Sequence, residues 1–137
     1  MSVSLTEDIP LCHSLRRIVF THEQGVSEEE EVDGLDDDAI HFLAELNGSP
    51  VGTARILIKG DTAKIGRVCV LKEARGTQQG QALIRACIDW SRKHGLKRAV
   101  LGSQLHALGF YEALGFTAFG QVYDDAGIEH RDMELHL

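Results

Sequence analysis

The strongest constraint on the fold is a pair of apolar runs joined by an Asn-Gly turn. The runs read AIHFLAEL and VGTARILIK, and Asn47-Gly48-Ser49-Pro50 separates them. Asn and Gly readily adopt the positive φ angles of a tight hairpin, so the runs are predicted to be antiparallel strands. A second turn at Gly60-Asp61 precedes the run AKIGRVCVL. The centre of the chain is therefore predicted to be a three-stranded antiparallel meander.

Amphipathic helices are predicted on both sides of this meander. Pro10 is favoured in the first turn of a helix, and an apolar stripe with helical spacing follows it at Leu11, Leu15, Ile18 and Val19. A second helix is predicted from Gln78 to His94, where Gly95 ends it. The polar segment THEQGVSEEEEVDGLDDD between the first helix and the meander is predicted to be a loop with at most a short helix.

The remaining segments complete an α+β order. A strand KRAVLGS, a short helix LHALGFYEAL and a hairpin about the turn Asp-Asp-Ala-Gly follow the second helix. The strand–helix–strand unit around Gln78–His94 should cross over in the right-handed sense and make one strand pair parallel. At 137 residues, the chain is expected to form one domain over residues 1–137. The predicted class is α+β, with helices covering a mostly antiparallel sheet.

Composition and charge narrow the possible functions. The net charge of −7 argues against nucleic acid, which requires a basic surface. No apolar run reaches the length of a membrane span, and the N-terminus lacks a signal pattern, so a cytoplasmic protein is expected. Eight of the 21 acidic residues lie between Glu28 and Asp38. This stretch either attracts a cationic partner or acceptor or is a solvated loop.

The cysteines and histidines indicate no metal site. The three cysteines are odd in number and lie in apolar segments, which is typical of buried reduced thiols. The seven histidines form no pair at i, i+4, and the chain has no Cys-x-x-Cys. We therefore expect a protein without a metal. His106 and His130 either border a cleft or have structural roles.

The segment RVCVLKEARGTQQGQALI joins a strand to a helix through a glycine-bearing turn. Free amides and the dipole at a helix N-terminus favour an anion, above all phosphate. Arg75 adds positive charge, and Gly76 and Gly80 allow close approach of the backbone. Many helices begin after a glycine without a ligand, so this pattern alone is weak. Neither common nucleotide-binding motif is present, which favours a carrier such as coenzyme A.

The segment HALGFYEALGF makes the interpretation more specific. Together with "VF…EQ…E.D", "ARI", "GRVCV", "RG…G" and "AGI.H..M", it resembles a small bacterial branch of the GNAT N-acetyltransferase superfamily over nearly the full chain. The resemblance implies a mixed, mostly antiparallel twisted sheet flanked by helices, with a splayed cofactor strand. It also implies acetyl-CoA as the acyl donor.

The resemblance assigns roles to particular residues. It implies that the backbone of Val68, Cys69 and Val70 runs beside the pantetheine arm. Tyr111 matches the tyrosine that often protonates the departing thiolate. Gln78 departs from the family pattern by replacing the first loop glycine, and Gln104 stands where asparagine is common; both are expected to remain cofactor contacts. The loop that wraps the pyrophosphate would consist of Arg75, Gly76, Thr77, Gln78, Gln79 and Gly80.

Acetyl transfer to an amine is predicted to occur by direct attack in a ternary complex. The N–H of Val70 is the candidate oxyanion donor, provided that a bulge frees it from strand pairing. Glu23 and the Glu31/Asp33 pair are candidate bases, acting directly or through water, although for Glu23 the role of a surface-loop residue is slightly favoured. Gln24 is a candidate for orienting the acceptor.

Two arginines in strands, Arg55 and Arg67, require partners. The partner is either a carboxylate on the acceptor or an acidic side chain from the Glu28–Asp38 stretch, and the second is favoured. An acyl-enzyme on Cys69 is conceivable, but no base is adjacent in sequence.

The function that the sequence favours is N-acetyltransfer to a small-molecule or peptide amine. A non-catalytic acyl-CoA sensor is the alternative, which Tyr111 disfavours because a sensor needs no acid at the sulfur. The outer strand of the terminal hairpin offers an edge for a homodimer.

Overall fold

The computed structural model describes residues 2–137 and contains one sheet of seven strands. In chain order the strands are β1 Ser2–Thr6, β2 Ile40–Leu46, β3 Ser49–Lys59, β4 Thr62–Val70, β5 Arg98–Gln104, β6 Thr117–Asp125 and β7 Ile128–His136. The helices are α1 Ile9–Arg16, α2 Glu28–Glu31, α3 Gln79–Lys93 and α4 Leu108–Glu112. None of the described helices is both long and apolar enough to span a membrane.

The strand order across the sheet is β1-β2-β3-β4-β5-β7-β6. Every neighbouring pair is antiparallel except β4 and β5, which are parallel. Helix α3 connects these two strands, so the parallel pair arises where the crossover was expected. The predicted α+β class with a mostly antiparallel sheet is confirmed.

Two-residue turns close the hairpins at the predicted positions. Asn47 and Gly48 have φ angles of 54° and 80° between β2 and β3. Ala126 and Gly127, with φ angles of 53° and 79°, join β6 to β7 in the same way. Positive φ at both turn residues matches the right-handed twist of the flanking strands.

Helices α1 and α3 cover opposite faces of the sheet, as alternation along β2 shows. Phe42 belongs to the main core with Leu83 and Cys87 of α3, whereas Leu43 packs in a second cluster with Leu15 of α1. Successive side chains of a strand point to opposite faces, so each helix buries its stripe against one side. Both faces of this part of the sheet are therefore covered by a helix.

Two features at the N-terminal end differ from the sequence prediction. Strand β1 was not predicted, because it is a five-residue edge strand that pairs only with β2. The first helix continues after Arg16 as a wider π-helical segment, Arg17–Glu23. Its wider turn alters the 3.6-residue spacing, so Ile18 of the predicted stripe is 45% exposed while Val19 is buried.

Strand β4 separates from β5 after a short contact. The parallel pairing covers only Thr62–Lys64 of β4 against Arg98–Val100 of β5. On its other edge, β4 stays paired with β3 as far as Val70, but with one extra residue between Gly66 and Cys69. Arg67 lies in this bulge with a φ of 52°. A bulge bends its strand and increases its twist, so the second half of β4 turns away and leaves a cleft.

Candidate active site

Four consecutive backbone amides at the start of α3 have no hydrogen-bond acceptor within residues 2–137. The first hydrogen bond of the helix runs from the N–H of Ala82 to the carbonyl of Gln78, at 3.0 Å. No side chain caps this helix end. The unpaired amides are those of Gln78, Gln79, Gly80 and Gln81. They converge at the positive end of a 15-residue helix, which is the geometry of an anion site.

Gln78 adopts the left-handed conformation that favours glycine. Its φ is 66°, directly before the first residue of α3. The turn at this position therefore does require positive φ, and the glutamine is a strained substitute for the glycine common in the family pattern. The amide of Gln78 is nevertheless free, so the substitution strains the turn without removing the donor.

The other loop residues surround the same helix end. Gly76 has a φ of 84°, and the Thr77 hydroxyl donates to the carbonyl of Ala74. The side chain of Gln79 is 1% exposed, and neither its amide nitrogen nor its amide oxygen has a partner. Leaving a buried amide unpaired costs about 1–3 kcal/mol.

Arg75 lies across the end of β4 and reaches Glu23. Its Nε donates to the carbonyl of Val70 at 3.1 Å, and its Nη2 donates to Glu23 Oε2 at 2.8 Å. The hydrogen bond from Arg75 holds the pKa of Glu23 below its ordinary value. A carboxylate held in this way is a poor proton acceptor. Glu23, the candidate base from the sequence, is therefore an ion-pair partner in this structure.

The amide of Val70 faces the cleft. The next amide, that of Leu71, donates to the carbonyl of Val51 on the β3 side at 2.7 Å. Because successive amides of a strand point to opposite edges, the N–H of Val70 points to the edge that β5 has left. The bulge required for a free donor at this position is present on β4.

Two cavities meet at the split between β4 and β5. We call the larger, of about 620 Å³, the acceptor cleft for the role proposed for it; its walls include Arg67, Tyr111 and His130. We call the smaller, of about 360 Å³, the cofactor groove on the same basis; it lies beside Val70 and Arg75. Gln24 and Val68 line both. A molecule lying in the groove therefore has its end at the inner wall of the acceptor cleft.

Tyr111 lies on α4, where its ring is held edge-on by Phe110 and Phe116 at centroid distances of 5.0 and 6.0 Å. Its hydroxyl makes no hydrogen bond to the described part of the chain. Burial raises the pKa of Tyr111 to about 12. The phenol therefore keeps its proton throughout the physiological range and can donate a hydrogen bond to a leaving sulfur.

The acidic stretch is tied to the sheet by what we call the arginine cluster: Arg16, Arg55, Arg67, Glu31, Asp33 and Asp36. Arg16 donates to Asp36 at 2.8 Å and pairs with Glu31, both nearly fully buried. Arg55 donates to Asp33 at 2.5 Å and to Asp36 at 3.0 Å. Three acidic residues of the stretch are therefore tied to arginines, whereas the other five, Glu28, Glu29, Glu30, Asp37 and Asp38, are exposed to solvent, as the loop alternative describes.

Ion pairing removes the acids of this cluster as candidate bases. The hydrogen bond from Arg55 lowers the pKa of Asp33 to about 2. Burial alone would raise the pKa of Asp36, but hydrogen bonds from Arg16, His13 and Arg55 outweigh burial and hold that pKa far below its ordinary value. Glu31 is 5% exposed and bound by Arg16. These carboxylates are occupied by arginine.

The two strand arginines have different positions. Arg55 is 4% exposed and lies outside the residues that line the cleft, so it is placed against the acidic stretch rather than for acceptor binding. Arg67 lines the cleft, and its Nε donates to the carbonyl of Glu31 at 3.1 Å. This bond and a 3.4 Å contact with Asp33 hold the positive φ of Arg67 in place. Both arginines therefore have partners in the Glu28–Asp38 stretch, which was the favoured of the two predictions.

Cys69 is buried in β4, and burial raises the pKa of its thiol to about 12. A thiol this far from ionisation is a poor nucleophile, so an acyl-cysteine route has no support.

Gln104 donates to Gln24 at 3.0 Å, and this bond joins β5 to the end of the π-helical segment. His106 lines the cofactor groove. Among residues 2–137 no three potential ligand side chains come together to hold a metal.

Sequence reasoning did not identify Tyr123 and Asp132. The Tyr123 hydroxyl donates to Asp132 at 2.7 Å, and both residues line the acceptor cleft. A side chain at Gly102 would collide with that hydroxyl. The register of the predicted terminal hairpin places Tyr123 opposite His130. Counting residues outward from the Asp-Asp-Ala-Gly turn would have identified Tyr123 and Asp132 as neighbours of His130.

Known proteins resemble this chain in both sequence and fold. Residues 7–116 match the Acetyltransferase (GNAT) family. Protein ElaA of Escherichia coli (strain K12) is 36% identical over 124 residues, which span 87% of this chain and 81% of ElaA. The crystal structure of Escherichia coli ElaA matches with a TM-score of 0.84 at 30% identity, covering 97% of this chain and 99% of that chain.

Two further structures extend the comparison. An acyl-CoA N-acyltransferase from Pseudomonas aeruginosa has a TM-score of 0.86 at 27% identity and covers 98% of this chain and 99% of that chain. An aminoglycoside 6'-N-acetyltransferase complexed with coenzyme A shares the fold, with a TM-score of 0.80 at 19% identity, and covers 99% of this chain and 97% of that chain. The sequence match, the split sheet and these neighbours agree: the chain belongs to the acetyltransferase (GNAT) family.

Proposed function

We propose that this protein transfers the acetyl group of acetyl-CoA to a primary amine by direct attack in a ternary complex. Acyl transfer is the reaction class of the family. The identity of the donor as acetyl-CoA and of the acceptor as a primary amine is our proposal. The observation that carries the proposal is the row of four amides at the start of α3 that have no acceptor among residues 2–137. Gly80 in this row lies against the side chain of Val70 on β4, and Val68 of the same strand lines the cleft together with Tyr111.

The residues at the start of α3 fit a pyrophosphate. The free amides and the helix dipole supply donors and positive potential, and Gly76 keeps the loop backbone open at positive φ. Arg75 is within reach of this end but is paired with Glu23. Binding of coenzyme A would therefore exchange one anionic partner of Arg75 for another.

The cleft residues fit the chemistry of the acyl group. The N–H of Val70 would donate to the oxygen that becomes an oxyanion when the amine attacks, a contribution worth about 3–4 kcal/mol in other acyl-transfer enzymes. Tyr111 would donate to the departing sulfur. The C–N bond forms as the C–S bond breaks. The nitrogen would release one proton as it becomes an amide, and the leaving thiolate would receive one through the Tyr111 hydroxyl, which is neutral again at the end of the step.

Binding of coenzyme A tests the first half of the proposal. Titration calorimetry should detect binding to the wild-type protein, and Arg75→Ala should weaken it about tenfold, because the charged contact is partly offset by the loss of Glu23 as a partner. Arg85→Ala is the matched control, since Arg85 is exposed on α3 one turn beyond the helix start. Absence of binding to the wild type would refute the proposal.

Thiol release on a panel of primary alkylamines and diamines tests the second half. Tyr111→Phe should lower kcat by about tenfold to a hundredfold with an unchanged Kd for coenzyme A, because the phenol acts on the leaving group only in the transition state. An unchanged kcat across the pH range would remove Tyr111 from this role. Binding of coenzyme A without thiol release on any amine would instead indicate a non-catalytic acyl-CoA-binding module.

A further inference from the structure

The proposed reaction requires a base that the carboxylates singled out from the sequence do not provide. An alkylammonium ion, with a pKa of about 10, must lose a proton before its nitrogen can attack. Glu23 is paired with Arg75, and Glu31 and Asp33 are held by the arginine cluster. A proton acceptor must therefore be sought among the other groups that line the acceptor cleft.

His130 lies at the centre of a row of polar side chains across the floor of this cleft. The register of β5 and β7 places it opposite Gln104, and the register of β7 and β6 places it opposite Tyr123. Directly opposed residues of antiparallel strands share one face of the sheet. Gln104, His130 and Tyr123 all line the cleft, and Gln104 extends the row to Gln24 at its inner wall.

The tautomer of the imidazole follows from its hydrogen bond. His130 Nδ1 lies 2.8 Å from the carbonyl oxygen of Ile128. A carbonyl oxygen only accepts, so Nδ1 carries the hydrogen, and the neutral ring presents the lone pair of Nε2. Nε2 has no partner among the described residues and is not buried. The Tyr123 ring stacks on the imidazole at a centroid distance of 5.9 Å and helps to fix its orientation.

We propose that His130 is the general base of the reaction, with Nε2 taking a proton from the ammonium form of the acceptor. The neutral amine then attacks the thioester, and the imidazolium returns its proton to solvent after the products leave. This assignment rests on the proposed function. Tyr123, which is fixed by Asp132, is a positioning residue that keeps the imidazole in place.

Charged and titratable groups face this part of the cleft from several elements. Asp132 lies two residues after His130 on β7, on the same face of the sheet, and Asp125 lies on β6. The other walls of the cleft carry Tyr111, Glu30 and Arg67. Asp132 accepts from Tyr123, and Arg67 is bound to the arginine cluster. Asp132 is therefore engaged, and the Glu30 carboxylate accepts from the Ser27 hydroxyl at 3.0 Å. Asp125 is the remaining carboxylate of this set and is the last residue of β6.

The variant His130→Asn distinguishes the roles of the two ring nitrogens. The asparagine side-chain amide can replace the Nδ1 donor to the Ile128 carbonyl, but it has no basic nitrogen. The control is His136→Asn on the same strand, because the side chain of His136 is 82% exposed and lies outside the cleft. Both variants are assayed with acetyl-CoA and the most active alkylamine of the panel, and with methoxyamine, an amine that is already neutral at pH 7.

With the alkylamine at pH 7, His130→Asn should lower kcat/KM by about a hundredfold to ten-thousandfold. The deficit should shrink as pH rises toward the pKa of the amine, and it should be small with methoxyamine. The Kd for coenzyme A should stay within twofold of wild type. Nitrogen NMR of the wild type should show the Nδ1-protonated tautomer of His130, and free imidazole should restore activity to His130→Gly.

Two results would overturn the assignment: a loss below threefold with the alkylamine, or an equal loss with both amines. The first would show that no base acts from this position, and the second would show a structural role. In either case the wild type is active and the proposed function stands. A wild type that binds coenzyme A but acetylates neither amine would instead refute the proposed function and this inference together.

Discussion

Replacing Asp36 by asparagine should remove a large part of the stability of the domain. The carboxylate accepts hydrogen bonds from Arg16 at 2.8 Å and Arg55 at 3.0 Å and faces His13 Nε2 at 2.7 Å. Arg16 and Arg55 are 1% and 4% exposed, so neither can turn to water. Removing one partner from a buried ion pair costs about 3–5 kcal/mol, because the remaining charge stays buried.

Urea unfolding at pH 7 measures this loss. The midpoint for Asp36→Asn should fall with little change in slope, by the amount that corresponds to 3–5 kcal/mol out of a typical total of about 5–15 kcal/mol. Asp37→Asn is the matched control, since it makes the same charge change next to Asp36 at an exposed position. A loss below about 1 kcal/mol for Asp36→Asn would show that the guanidinium groups find other partners, and the argument for the arginine cluster would fail.

Three further results are expected. Asp33 should stabilise the fold by about 1 kcal/mol at neutral pH, because its pKa is lowered to about 2 but solvent screens the exposed carboxylate; this contribution is complete above the ordinary pKa of about 4 and disappears as pH falls through 2, so wild type and Asp33→Asn should converge in acid unfolding midpoints. Gln78→Gly should match or exceed the wild-type stability by up to about 1 kcal/mol, whereas Gln78→Ala, which keeps the strain, should not, as thermal melting will show. Native protein at pH 8 should resist alkylation at Cys69 and Cys87, since burial raises both thiol pKa values; rapid labelling followed by mass spectrometry would contradict their placement.

Local sequence signals identified most of the fold. The Asn47-Gly48 turn fixed one hairpin, and the helix stop at Gly95 lies just beyond the observed end of α3 at Lys93. These features depend on the conformational preferences of a few adjacent residues. The π-helical segment after Arg16 did not follow from such preferences, because its turn width is set by tertiary packing.

The candidate site was predictable where its parts are backbone features. The free amides at the start of α3 and the bulge in β4 follow from a glycine-bearing junction and a splayed strand. The pairing of Arg16 with Asp36 joins residues 20 positions apart, and the row through His130 depends on strand register. Neither is encoded by local spacing, which explains why carboxylates that are bound by arginine looked like free bases in the sequence.

The short parallel contact between β4 and β5 divides the sheet mechanically. Three residue pairs join the two strands, whereas β5 pairs with β7 over seven. The main core cluster crosses this seam, since Ala99 and Leu101 of β5 and Met133 of β7 pack in the same cluster as Ile65 of β4. The two halves of the sheet are therefore joined mainly by buried side chains where the backbone ladder between them is short.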